Sequence, residues 1–305
     1  MDVRPFSRRG LALAALAVVG CVSALAGCGS SSTSSSSGGG GGSSTVAVNS
    51  SIAAAVPAAI KSKGTLTVAA DASYPPNESF GPDGTTVVGM DPDLANALAA
   101  VLGLKVQVVN ATFDSILPGM ASGKYDLGMS SFTDSKDREK VVDFVTYYNS
   151  GTSFIIKTGG PTINTLDDLC GHHVGVEKGT TQQDDSTLQD TKCKSANKGG
   201  VDVQVYTDQN GVNQALVSGR VDVVMLDSPV AAYQVKIANG QFALTGQSYG
   251  FAPYGIAVPK GNGLAQPILD ALKTLMQNGT YKQILDKYAI GSGAITNPVI
   301  NGATS

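Results

Sequence analysis

From residue 65 onward the chain alternates two hydrophobic rhythms. TLTVAA (65–70), LKVQVVN (104–110), KYDLGM (124–129) and GTSFIIK (151–157) are short apolar runs that predict strands. Between them, PDLANALAAVLG (92–103), opened by Asp91 and Pro92, and FDSILPGMASG (113–123) repeat apolar positions at helical spacing. The pattern then begins afresh. A short helix at TLDDLCG (165–171), a strand and turn at HHVGVEKG (172–179) and a helix at TTQQDDSTLQ (180–189) lead to a strand at VDVQVY (201–206). A helix at DQNGVNQALVSGR (208–220), a strand at VDVVML (221–226) and a helix at DSPVAAYQVKIANG (227–240) close the series. PYGIAVP (253–259) is a further strand, and residues 265–290 form one or two amphipathic helices.

Strand and helix units in succession predict parallel sheet flanked by helices, here as two α/β lobes. Extended segments near 150–157 and 250–258 are the candidate connections. The first lobe is expected at 62–152 and 251–292, the second at 153–250, and 293–305 reads as a frayed C-terminal tail. The halves echo each other: SGKYDLGMSSFTD (122–134) and SGRVDVVMLDSPV (218–230) share a Ser-Gly turn, a basic residue, an apolar strand containing Asp and a polar exit. In open α/β sheets ligands bind beyond the carboxyl ends of strands. Two lobes with polar strand exits can therefore close on one small ligand.

The N-terminus sets the compartment. Arg4, Arg8 and Arg9 precede a short apolar run, LALAALAVVGCVSALAG (11–27), the pattern of an export signal spanning 1–27. SRRGLAL (7–13) also resembles a twin-arginine signal, which leaves Sec or Tat export open. LAGC (25–28) resembles the bacterial lipobox, which implies lipid on Cys28. The Ser/Gly stretch behind it has little apolar surface to bury and makes a tether over 28–50. A folded domain would thus hang on the outer face of the cytoplasmic membrane, or its periplasmic side.

Without residues 1–27 the chain carries 18 basic and 23 acidic residues, a balance of −5. Nothing basic or aromatic-interleaved points to nucleic acid. Of four cysteines, Cys170 and Cys193 remain beside Cys28 once the signal is removed, and in an exported chain such a pair is expected as a disulfide. The only histidines, His172 and His173, are adjacent; in a strand they point to opposite faces, so no metal site is expected.

Several stretches together resemble one family, the extracytoplasmic solute-binding proteins of polar amino-acid ABC transporters (solute-binding protein family 3). These are GMDPDLANALAAVL (89–102), DASYPPNESF (71–80), FDSILPGMASGKYD (113–126), SSFTDSKDREKVVDF (130–144), VGVEKGTTQ (174–182), GRVDVVMLDSPVAAY (219–233) and GTYKQILDKY (279–288). Met90 and Pro92 depart slightly from the family's usual residues, and Asn77 stands where relatives often carry an aromatic.

The resemblance implies a type II periplasmic-binding-protein-like fold, two lobes on a two-segment hinge with the ligand in the cleft. It implies Arg138 on the ligand α-carboxylate, where a planar guanidinium meets both oxygens. Ser130, Ser131, Thr133, Thr180 and Thr181 supply hydroxyl and backbone groups, and Asp227 pairs with the α-ammonium. Tyr74 and Phe113 wall the ligand side chain, and Asp71 favours a polar ligand with a basic or amide side chain.

The implied partners are a free L-amino acid, an ABC permease and the membrane through Cys28, with the protein a monomer that needs no cofactor. A ligand-presenting sensory lipoprotein and a dehydratase-type enzyme on the same fold are the alternatives. Glu78 and Glu177 are the available glutamates near strand ends, and spacing ties neither to a catalytic partner, so an enzyme is not expected.

Overall fold

The computed structural model describes residues 46–304. The signal segment, Cys28 and most of the Ser/Gly stretch lie outside the described residues. The folded part reaches back before residue 62. Asn49 caps helix α1 (Ser50–Ala55), its side chain accepting from the Ile52 N–H, and α2 (Ala58–Lys63) follows. Their apolar face explains this: Val46, Ile52 and Ile60 pack on the core of the first lobe.

That lobe opens with β1 (Thr65–Ala70), a small sheet of β2 (Ser73–Tyr74), β3 (Glu78–Phe80) and β4 (Val87–Val88), and helix α3 (Met90–Leu102). It continues with β5 (Lys105–Asn110), α4 (Phe113–Ala121) and β6 (Leu127–Gly128); β1 lies between β5 and β6, parallel to both. The long strand β7 (Val142–Lys157) then leads into the second lobe. There β8 (His173–Glu177), α5 (Thr181–Ser195), β9 (Asp202–Tyr206), α6 (Gln209–Ser218), β10 (Val223–Asp227) and α7 (Ser228–Ile237) repeat the plan. A second long strand, β11 (Phe242–Pro259), returns to the first lobe, which α8 (Ala265–Gln277) and α9 (Thr280–Lys287) complete.

Eight strands form one sheet in the order β5-β1-β6-β11-β7-β10-β8-β9. At its centre β7 and β11 pair antiparallel from Phe242↔Lys157 to Pro259↔Val142, so both run through both lobes. Register shifts between Thr245 and Tyr249, Tyr249 and Ala252, and Tyr254 and Gly255 interrupt this ladder midway. The architecture is two α/β lobes joined by two chain segments.

Pattern alone marks only the halves 151–157 and 253–259 of these strands. Asn149, Ser150 and Gly151 look like breakers, yet β7 continues through them because nearly all its residues are buried on both faces. The amphipathic stretch 265–290 is two helices, broken where Gly279 takes φ 81°.

The first core joins α3 and α8 (Leu94, Leu98, Ile268, Leu272) to Val68, Val145 and Ile256 of the sheet. The second lobe packs Phe154, Val174, Val176 and Val223 together with Cys193, whose sulfur is bonded to that of Cys170 across a Cα–Cα distance of 5.5 Å. His172 and His173 face different carboxylates, Asp222 at 3.7 Å and Asp202 at 2.5 Å.

The C-terminal stretch is not a frayed tail. Ala294 and Ile300 bridge to Tyr148 and Val145, the Thr146 N–H donates to Val299 O at 2.9 Å, and the Gly302 N–H donates to the buried Asp134 at 2.7 Å. Apolar Ile300 and Ala303, spaced among polar residues, supply the burial that holds it.

Candidate functional site

The carboxyl ends of β1 and β6 in one lobe and of β8 and β10 in the other face a common cleft. All ten residues singled out from sequence line it: Asp71, Tyr74, Phe113, Ser130, Ser131, Thr133 and Arg138 from the first lobe, Thr180, Thr181 and Asp227 from the second. Glu78, Glu177 and Gln182 line it with them.

Arg138 opens a short 3-10 turn after the polar exit of β6. Phe113 and Phe132 stack at 4.4 Å, and the guanidinium lies 5.5 Å from each ring centroid, a cation–π seat that fixes its plane. Its Nη1 donates to Thr133 O at 2.9 Å and its Nη2 to Gly179 O, across the cleft, at 3.0 Å. These bonds use two of the five N–H donors a guanidinium carries. Burial pushes its pKa down, while Asp227 and Asp184 oppose that shift.

The hydroxyls are held from behind. Ser130 Oγ accepts from the Asp71 N–H at 2.9 Å and donates to Glu78 Oε1 at 3.0 Å. Ser131 has φ 54°, a left-handed conformation that costs energy for a residue with a Cβ. It is retained because the Ser131 N–H donates to Asp91 Oδ2 at 2.9 Å and Asn77 Nδ2 donates to Ser131 Oγ at 2.8 Å. Asn77 is thus buried behind the serine rather than forming pocket wall.

Each aspartate has its own setting. Asp71 accepts from the Ser73 N–H at 3.1 Å and the Phe113 N–H at 2.9 Å, and burial still raises its pKa. Asp227 occupies the N-cap position of α7 without making the side-chain cap bond. Its Oδ1 accepts from Gln182 Nε2 and its Oδ2 from the Tyr254 hydroxyl, both at 2.7 Å. Burial raises the Asp227 pKa against those bonds and the Arg138 charge. Thr180 caps α5, accepting from the Gln183 N–H at 3.2 Å, and Thr180, Thr181 and Gln182 bring the start of that helix to the cleft.

Bonds between lobes hold the closed form. The Asp227 N–H donates to the Tyr74 hydroxyl at 2.9 Å, the Gln209 N–H to Ser73 Oγ at 3.0 Å, and Lys178 pairs with Asp114 at 2.8 Å. The lining is acidic: Asp71, Glu78, Glu177 and Asp227 against Arg138 alone. Burial, with Asp91 beside it, holds Glu78 well above the carboxylate range; burial with Asp71 opposite does the same to Glu177.

Sequence pattern did not assign Glu78, Glu177, Gln182 or Tyr254 to ligand binding. For Glu177 a signal existed, a charged residue ending an apolar strand just before the Gly-Thr-Thr turn. Tyr254 lies in β11 with no local cue, and only the sheet brings it to Asp227.

Residues 66–291 match the model of the bacterial extracellular solute-binding proteins, family 3. The chain belongs to that family. It is 31% identical over 251 residues to the arginine-binding protein ArgT of Corynebacterium glutamicum, covering 82% of each chain. It is 33% identical over 232 residues to the L-cystine-binding protein TcyJ of Escherichia coli K12, covering 75% of this chain and 84% of that one.

Among solved structures, an ancestral arginine-binding protein bound to arginine is 38% identical, with a TM-score of 0.68 over 74% of this chain and 98% of that one. An ancestral amino acid-binding protein, a precursor of cyclohexadienyl dehydratase, is 33% identical with a TM-score of 0.68, over 75% and 97% of the two chains. These relatives are named as binding proteins, and this chain, as a member of the family, is a solute-binding protein.

Proposed function

We propose that this chain is a lipid-anchored, extracytoplasmic binding protein that captures a free amino acid by lobe closure and delivers it to the permease of an ABC importer. Its ligand has a polar side chain, and a basic one suits the cleft best. The observation that carries this reading is the distribution of charge across the cleft: one guanidinium seated on two aromatic rings, facing carboxyls contributed by both lobes.

Arg138 and the N–H groups at the start of α5 receive the α-carboxylate, and Ser130, Ser131 and Thr133 add hydrogen bonds. Asp227 receives the α-ammonium, so the zwitterion joins a first-lobe cation to a second-lobe anion. Tyr74 and Phe113 cover the aliphatic part of the side chain, and Asp71 meets its polar end. Closure excludes water, which strengthens each of these charge pairs. The relatives named for arginine support a basic ligand.

Calorimetric titration of refolded protein with L-arginine and with agmatine, which lacks the carboxylate, tests the clamp. Loss of a bidentate charged pair should weaken agmatine by about a hundredfold, and Arg138→Ala should weaken L-arginine by a similar factor. Equal binding of the two ligands would sink the assignment of Arg138.

A further inference from the structure

We infer that Glu177 is a second specificity carboxylate, set against Asp71 by closure so that the cleft takes amino acids whose side chain ends in a cation and rejects their neutral isosteres. This inference rests on the amino-acid-binding proposal above and goes beyond it by naming the group that reads side-chain charge.

Glu177 ends β8 and is 3% exposed, yet its Oε1 is buried with no hydrogen-bond partner. The charged groups that raise its pKa most are acidic: Asp71 from the opposite lobe, Asp208 from the start of α6 and Asp227 from the end of β10, and the Tyr74 hydroxyl also feels its charge. Glu78 stands behind Asp71.

The cations nearby are occupied elsewhere. Lys178 turns outward to Asp114, and Arg138 is bonded to two backbone carbonyls with Asp227 and Asp184 as its charged neighbours. Asp71 already accepts two backbone N–H groups, whereas the buried Oε1 of Glu177 has no partner.

Two carboxyls facing each other away from water cannot both be ionised unless a positive charge stands between them. Without a ligand cation, closure needs a proton on one of the two carboxyls, and burial raises the pKa of both. A guanidinium or ammonium fills that role when a basic amino acid is bound, so closure then needs no such proton. A urea or amide end of the same shape offers N–H donors without charge. One carboxyl must then stay protonated, and the charge-assisted part of the bonding is lost.

The test uses L-arginine and its neutral isostere L-citrulline, titrated into wild type and Glu177→Gln. Wild type should prefer arginine strongly. Glu177→Gln should narrow the preference by about tenfold or more, chiefly through weaker arginine binding. Titration of wild type near pH 6 in two buffers of different ionisation enthalpy should show more proton uptake with citrulline than with arginine, a readout that needs no variant. An unchanged arginine-to-citrulline ratio in Glu177→Gln, or the same proton balance for the two ligands, overturns the inference while leaving amino-acid binding intact. Failure of wild type to bind any amino acid overturns the proposed function itself.

Discussion

Gly179 meets the opposite lobe at the Arg138 wall, and replacing it separates stability from closure. The residue sits at φ 80°, where a side chain is strained in open and closed forms alike. Alanine there should cost about 1–2 kcal/mol of folding stability without itself changing affinity. Its Cβ, however, would lie 3.1 Å from Asp114 Cβ and 3.3 Å from Asp114 Cα of the opposite lobe.

That contact exists only when the lobes are closed, and relieving it moves the Arg138–Gly179 bond and the Lys178–Asp114 pair. Crowding of this size costs about 1 kcal/mol, which lowers affinity for a captured amino acid by about fivefold. Gly159, at φ 83° with nothing within 4 Å of an added Cβ, is the control. Calorimetric affinity and urea midpoints for both alanine variants should show comparable loss of stability, with affinity lost only at 179. Unchanged affinity in Gly179→Ala, or an equal loss in Gly159→Ala, would refute closure as described.

Two further outcomes follow from the second lobe and the C-terminal stretch. Cys170 and Cys193 are 23 residues apart, so replacing both with serine should cost roughly 3 kcal/mol by loop-closure entropy, read as a lower urea midpoint. No change in that midpoint would mean that the bridge does not constrain the unfolded chain. Burial pushes the Asp134 carboxyl up to about 6, from an ordinary value of 3.8. Between those pH values the folded chain holds a proton that the unfolded chain has released, so stability falls as pH rises from about 4 through about 6. Asp134→Asn still accepts from the Gly302 N–H and should flatten that slope; an unaltered pH profile would contradict the assignment.

Period and punctuation carried the lobes well. Helices such as α3 and α6 have capped, regular patterns, and β1, β5, β9 and β10 are bounded apolar runs, so local chemistry sufficed. It failed where tertiary packing decides. The joins through Asn149, Ser150 and Gly151 in β7 and through Gly246 and Gly250 in β11 look like turns, and only the pairing of the two long strands with each other makes them strand.

The two- and three-residue strands β2 to β4 are too short for any period. The docked C-terminus depends on Asp134 and Thr146, more than 150 residues away in sequence. At the cleft, Arg138 and the hydroxyl run stood out as polar groups directly after a buried strand. Tyr254 and the Asp71–Glu177 apposition did not, because they arise only when distant elements meet.

The most direct measurement is a thermal-shift panel of the twenty amino acids, using protein unfolded and refolded to remove carried-over ligand. The chain has no tryptophan, so circular dichroism is the suitable readout. At about a thousandfold excess over the dissociation constant a ligand adds roughly 4 kcal/mol, a shift of several degrees. Arginine or lysine should raise the midpoint, and Arg138→Ala should abolish the rise. A flat response to all twenty would contradict capture of a free amino acid between the lobes.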